Sequence, residues 1–192
     1  MAKPEFVPSR VHIILARKAP VAIAIRRGPS KRVCTVGWDR TNDTFQVGQW
    51  IKGRIYERRC DLSPNGRHFI YFAMNGKWNT KVKGSWTAVS IAPYLKAVGL
   101  WANGSGWNGG GLFTSAKQFW LNAFPFGHQE LRKPKGLEQD AFPFHESYGG
   151  ECPGVYYVRL QRDGWQRMRQ EKQGVDHPTI FEKQVAVRWI LE

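Results

Sequence analysis

The chain has 192 residues, with 29 Lys and Arg against 15 Asp and Glu, a formal net charge of +14 and an aromatic content of 14%. This length is enough for one domain with a hydrophobic core, and its apolar runs are too short to cross a bilayer as helices. The excess of cations favours polyanions or acidic protein surfaces as partners, with no bearing on fold class.

The positive charge is concentrated in the N-terminal part of the chain. Residues 1–85 hold 17 basic and 5 acidic residues, a net charge of +12, whereas residues 86–192 have a net charge of only +2. The apolar runs at the N-terminus are broken by Arg17, Lys18 and Pro20, which does not match a signal peptide. Three cysteines without a CxxC spacing do not predict a disulfide framework. We therefore expect a soluble, cytoplasmic protein with no membrane partner.

Strand-like runs follow one another along most of the chain. They lie at 11–16, 21–25, 32–38, 44–51, 54–62, 67–73, 86–92, 96–101 and 117–122. Two further β-rich segments, 154–168 and 179–191, close the sequence. The Asp163-Gly164 dipeptide inside the first of them is typical of a hairpin turn. The pattern predicts a single all-β domain over 1–192, with a basic part at 1–85 and C-terminal hairpins at 154–192.

The stretch DLSPNGRHFIYF predicts a tight turn followed by a central strand. Ser-Pro-Asn-Gly at 63–66 suits a turn whose glycine takes positive φ. In the strand that follows, Phe69 and Tyr71 point to one side, and Ile70 and Phe72 point to the other. A strand that is apolar on both sides belongs in a sheet covered on both faces, or between stacked sheets.

A weak internal repeat accompanies this stretch. Residues 62–72 align with 91–101 and with 28–38, each placing a proline, then a basic residue, before a strand. Residues 62–72 also resemble the turn and strand of WD40-like propellers of the TolB type. The resemblance implies a turn and a blade strand, His68 to Phe72. The turn residues would be Ser63, Pro64, Asn65, Gly66 and Arg67. We expect a compact, propeller-like array of small antiparallel sheets, with a β-sandwich as the alternative.

Two segments interrupt the β pattern. Residues 101–113 contain five glycines and two tryptophans, which predicts a wide loop that includes Trp107. Residues 123–153 predict a long irregular excursion, in which the sequence Ala-Phe-Pro-Phe occurs at 123–126 and again at 141–144. Each proline keeps the phenylalanine before it extended, and we expect these phenylalanines to cover the core.

Clusters of cations with tryptophans between them are the main functional signal. Positive side chains can hold phosphates, and exposed ring faces can stack on bases, as in grooves for single-stranded nucleic acid. No known sequence-reading motif accompanies them. The predicted binding residues are Arg26, Arg27, Lys31, Arg32, Lys52, Arg54, Arg58, Arg59, Lys77, Trp78, Lys81, Lys83 and Trp107.

Catalytic and metal motifs are missing from the sequence. It has neither G-x-S-x-G nor H-E-x-x-H, and acidic residues are sparse before position 130. His128, His145 and Cys152 are suitable zinc ligands, but their spacing matches no closed zinc motif. We therefore expect no metal, no cofactor and no catalytic residue.

The composition leaves three functions open. The first is a non-enzymatic module whose basic face binds nucleic acid or another polyanion. An alternative is a protein-interaction domain, such as an immunity, antitoxin or assembly factor, that binds an acidic protein. A second alternative is an enzyme that acts on a phosphorylated substrate.

Overall fold

Strands joined by short turns make up most of the computed structural model. It describes residues 8–28, 31–123, 128–144, 147–149, 151–168, 179–186 and 189–191, with the backbone alone from 185 onward. The strands are β1 Arg10–Leu15, β2 Val21–Arg27, β3 Arg32–Asp39, β4 Thr44–Lys52, β5 Arg54–Ile55, β6 Asp61–Leu62, β7 His68–Met74, β8 Ser85–Ile91, β9 Ala97–Ala102, β10 Gly111–Phe113, β11 Gln118–Leu121, β12 Gln129–Arg132, β13 Glu138–Asp140, β14 Gln166–Arg167, β15 Phe181–Ala186 and β16 Trp189–Leu191. A 3-10 turn, Glu57–Arg59, and one α-helix, α1 Cys152–Arg162, complete the described elements.

The strands form four small sheets. The first sheet is an antiparallel meander in the order β1-β2-β3-β4. The second has the order β12-β9-β8-β7-β5, and β6 also pairs with β7. The third is β10-β11-β13, in which β11 and β13 are parallel, and the fourth is β14-β15-β16. The described residues contain no closed barrel, and the all-β class with several small sheets is confirmed. The likeness of residues 62–72 to a propeller blade stays a prediction.

The central strand β7 is covered on both faces, as its sequence predicts. On one side Phe69 and Tyr71 share a buried core with Ile14, Ile23 and Ile25 of the first sheet. All five side chains are at most 5% exposed. The first sheet is therefore packed face to face on the second, and one side of the first sheet is buried.

On its other side, β7 faces a second core. Ile70 packs there with Val89 of β8 and with Phe113 and Phe119 of the third sheet. The three sheets are thus stacked, with the second in the middle. This order leaves the far side of the first sheet outside both cores.

The hairpin predicted within 154–168 is wrong, because α1 occupies Cys152–Arg162. The run of β-branched and aromatic residues favours a strand by local propensity. Pro153 in the first turn, however, suits a helix start. Val155 and Val158 are both buried, at the i, i+3 spacing of one helix face, and pack on Leu112 of β10. Burial of Val155 and Val158 against the third sheet therefore stabilises a helix in place of the predicted strand.

The remaining C-terminal strands do form antiparallel pairs. β14 pairs with β15, and β15 pairs with β16. The Asp163-Gly164 dipeptide ends the helix, with Gly164 at a φ of 90°. A positive φ after a helix is a common stop signal. The dipeptide therefore makes a turn, but the turn joins α1 to β14.

The excursion predicted at 123–153 is only partly irregular. It contains β12, which pairs with β9, and β13, which pairs with β11. In the second Ala-Phe-Pro-Phe sequence, Phe142 contacts Trp120 with ring centres 5.0 Å apart, and Phe144 packs against Phe142. Phe144 packs against the core beneath α1, whereas Phe142 covers Trp120 at the surface and is 37% exposed. Most of the first copy, at 124–127, lies outside the described residues.

Two further sequence predictions are confirmed. Gly66 has a φ of 75°, and its N–H donates to the Ser63 carbonyl in the predicted turn. Cys34, Cys60 and Cys152 are free cysteines. Among the described residues, no helix is long and apolar enough to span a membrane.

Candidate polyanion-binding cleft

Two adjoining cavities open at one end of the first sheet. Their volumes are about 560 and 270 Å³, and both are lined by Arg10, Arg27, Arg54 and Tyr56. We call the two together the basic cleft. Six cationic side chains line it: Arg10, Arg27, Lys31, Arg32, Arg54 and Arg58.

Strand register brings these cations together from distant positions. Arg10 of β1 lies directly opposite Arg27 of β2. Directly paired residues of an antiparallel sheet share a face, so the two guanidinium groups are neighbours. The connection from β2 to β3 adds Lys31 and Arg32, and the end of β4 leads through Gly53 into β5.

Gly53 is the residue that lets β5 run close to the second sheet. It has a φ of 144°, and a Cβ atom there would lie 2.6 Å from the Met74 carbonyl oxygen. Its N–H donates to the Lys31 carbonyl at 2.8 Å. Only glycine combines this φ with so close a backbone approach. The contact ties the two basic turns together at the cleft.

Among the described residues that line the cleft, Glu57 is the one carboxylate facing the six cations. Arg27 Nη1 lies 2.6 Å from Glu57 Oε1, with both side chains about one-fifth exposed. Within the described part of the chain, no carboxylate forms a salt bridge with the other five cations. A concave surface with this imbalance concentrates positive potential and attracts anions.

Neighbouring side chains already cover the aromatic ring of the cleft, which belongs to Tyr56. The guanidinium of Arg54 lies 4.3 Å from the centre of the Tyr56 ring, and that of Arg59 lies 5.2 Å away. Phe72 contacts the same ring, with centres 5.3 Å apart. Tyr56 therefore orients arginines and leaves little ring surface for stacking on a base. The cleft can bind through charge and N–H donors.

The structure separates the predicted binding residues into groups. Arg27, Lys31, Arg32, Arg54 and Arg58 line the basic cleft. Two others do not line the cleft: Arg26 lies over the Trp50 ring at 5.6 Å, and Lys52 is exposed opposite Arg32.

The prediction for Arg59 is wrong. Its side chain is buried, with 3% of the residue exposed, because it packs between Tyr56 and Phe72. Its Nη1 donates to the carbonyls of Gly106 and Asn108. A guanidinium held in this way stabilises a loop and cannot meet a partner at the surface.

The remaining predicted residues lie on two loops. Asn75 and Gly76 line the cleft, and the β7–β8 loop that they begin holds exposed Lys77, Lys81 and Lys83. Trp78 is 52% exposed in that loop, and Trp107 is 62% exposed in the loop after β9. None of these five side chains lines the cleft itself.

Sequence reasoning missed Arg10 and Tyr56. Arg10 stands alone in the sequence, and only its pairing with Arg27 reveals its position. The order of β1 and β2 as adjacent short strands was a usable signal, because a hairpin places the start of the first strand beside the end of the second.

Two of the described histidines are largely buried and have lowered pKa values. Burial lowers the pKa of His128 to about 4, and burial with the charge of Arg159 lowers that of His12 to about 4. Among the described residues, no three His, Cys, Asp or Glu side chains cluster to hold a metal. His145 lies outside those residues, so a site with His128 and Cys152 stays untested.

Comparisons with protein-family models, curated proteins and solved structures found no match for this chain. The functional conclusion therefore depends on the residues of the basic cleft.

Proposed function

We propose that the protein binds nucleic acid through the basic cleft and holds the phosphates without reading base sequence. The convergence of six cationic side chains on one carboxylate supports this function. Five of the six are arginines, whose planar N–H forks match phosphate oxygens. The three lysines of the β7–β8 loop extend positive charge from the rim, which suits a chain of phosphates.

The covered aromatic ring favours phosphates over an acidic protein as the ligand. Protein interfaces concentrate their binding energy in buried aromatic or apolar anchors. In the cleft, Tyr56 already packs against Arg54 and Phe72, and it offers no such anchor. A site made of charges and N–H donors suits a phosphate backbone.

A charge-reversal experiment tests this function. Arg10, Arg32 and Arg54 are exposed cleft residues, and the test variant changes all three to Glu. The control variant changes exposed Lys117, Lys133 and Lys135, which do not line the cleft, to Glu. Both variants have the same net charge. Binding of a labelled single-stranded oligonucleotide is followed by fluorescence anisotropy at fixed salt.

The cleft variant should bind on the order of 100-fold more weakly than the wild type, with a nearly unchanged melting temperature. The control variant should lose much less affinity for the oligonucleotide. Equal losses in both would show that net charge alone causes binding, which contradicts the proposal. Binding of polyglutamate at the cleft, without oligonucleotide binding, would replace nucleic acid by an acidic protein as the partner.

A further inference from the structure

The far side of the first sheet is an exposed apolar surface. Pairing of β1 with β2, and of β3 with β4, puts six large apolar side chains on the side away from the core. Their exposed fractions range from 47% to 66%. We call this surface the outer face and define it by Val11, Ile13, Leu15, Phe45, Val47 and Trp50.

A β-bulge in β4 places Trp50 on this surface. Cys34 pairs with Trp50 and Val36 pairs with Val47, so two steps along β3 correspond to three steps along β4. In a regular strand, Val47 and Trp50 would point to opposite sides. The extra residue turns both outward, and bulges commonly re-aim a side chain in this way.

Strand β7 of the same protein shows how a strand with apolar side chains on both sides is normally packed. β7 is apolar on both sides and is covered on both by a core. β1 is also apolar on both sides: Ile14 is 5% exposed in the core, whereas Ile13 and Leu15 are 47% and 51% exposed. A continuous apolar patch of this kind marks an interaction site.

The undescribed segments of the chain differ in how much apolar surface they could offer the outer face. The longest, residues 169–178, has the sequence RQEKQGVDHP and one large apolar residue, Val175. Residues 1–7 lead into Pro8, which lines the basic cleft. The long polar segment therefore offers no apolar surface that would match the outer face.

We infer that the outer face binds the outer face of a second copy of this chain. Aromatic side chains bury about 150–250 Å² each and aliphatic ones less, so two half-exposed aromatic and four half-exposed aliphatic side chains present on the order of 500 Å² per copy. Two copies then bury on the order of 1,000 Å² from these side chains alone, and their surroundings bring the total to the roughly 1,200–2,000 Å² of a stable interface. Two packed sheets are also the usual β-sandwich arrangement.

Charge fixes the orientation of the two copies. Three cations of the outer side, Arg26, Arg32 and Lys52, lie at one end of the sheet, whereas the β3–β4 turn at the other end holds Arg40 together with Asp43, which accepts a hydrogen bond from Trp38 Nε1 at 2.7 Å. A two-fold axis that runs the strands of the copies antiparallel separates the two basic ends. Strands of this length span about 20 Å, beyond the roughly 8 Å screening length at physiological ionic strength.

Sedimentation equilibrium over a range of protein concentrations tests the inference. The wild type should show a reversible species at twice the 22.0 kDa chain mass. Val47→Lys and Val11→Lys, at side chains 66% and 60% exposed, should each weaken association on the order of 100-fold, because a charge would be buried without a partner. Trp107→Lys is the matched control, 62% exposed and off the outer face, and it should associate as the wild type does.

A wild type that stays monomeric throughout the range overturns the inference, as does a dimer that both lysine variants retain. If the wild type stays monomeric and Val47→Lys weakens oligonucleotide binding, the outer face would instead be a surface on which nucleic-acid bases stack. A variant with only Arg10 and Arg54 changed to Glu, neither of which belongs to the outer face, should still dimerise. Failure of nucleic-acid binding and failure of dimerisation are therefore separate results.

Discussion

Substitution of Asp61 is expected to destabilise the folded protein strongly. Its carboxylate is fully buried and accepts hydrogen bonds from Arg162 Nη1 at 2.5 Å and Nη2 at 3.1 Å. It also accepts from the Phe113 N–H at 2.8 Å. The carboxylate thus holds α1 on the third sheet and offsets the charge of a buried arginine. Asp61→Ala removes all three interactions at once.

The expected cost of Asp61→Ala is about 3–5 kcal/mol of unfolding free energy, because the buried Arg162 then keeps only the partly exposed Asp163 as an ionic partner. At about 2–4 °C per kcal/mol for a chain of this size, the melting temperature should fall by about 10 °C. Thermal and urea unfolding followed by circular dichroism measure both quantities. Asp163→Ala is the control, since Asp163 binds the same Arg162 at 2.9 Å but is 31% exposed. It should cost less than about 1 kcal/mol.

A double-mutant cycle separates lost attraction from buried charge. Asp61→Ala with Arg162→Leu should recover part of the loss, because the charge of Arg162 is then removed together with its buried partner. Equal, small effects of Asp61→Ala and Asp163→Ala would refute the assignment of Asp61 as the anchor of α1.

Two further predictions concern the turn and the pH response. Gly66→Val should destabilise the fold by more than Gly76→Val, measured by urea unfolding: both glycines have φ near 70°, but a Cβ at Gly66 would clash with Val21, whereas Gly76 has open space. Equal losses of unfolding free energy in the two valine variants would contradict a clash between residue 66 and Val21. His12 accepts from Arg159 and has a pKa lowered to about 4 by burial and that positive charge, so the unfolded chain binds its proton more tightly. Stability should fall as pH drops from about 6.5 towards 4, and His12→Gln should flatten this loss in denaturation curves at pH 7, 6 and 5. An unchanged slope would show that other groups cause it.

The sequence was most informative where burial and periodicity agree. The two-sided apolar pattern of β7 predicted its central position because each face needs its own core. Gly66 was predictable because the turn chemistry around it is specific. The cationic clusters at 26–32 and 52–59 were visible in the sequence, and the fold brings Arg27 and Arg58 from the two clusters to one cleft.

The errors have different physical causes. α1 was missed because Tyr156, Tyr157 and Val158 have strand propensity, and tertiary burial outweighs such preferences. Arg59 looked like its exposed neighbour Arg58, but the 3-10 turn points the two in different directions. The exposure of Trp50 depends on a β-bulge, and no residue pattern in β4 predicts that bulge.

The salt dependence of oligonucleotide binding tests the central claim most directly. Each phosphate contact on a single strand contributes about −0.7 to the slope of log K against log salt concentration. Contacts from all six cleft cations would give the wild type a slope of about −4, and the Arg10, Arg32 and Arg54 to Glu variant should retain about −2. Identical slopes for the wild type and this variant would contradict phosphate binding in the basic cleft.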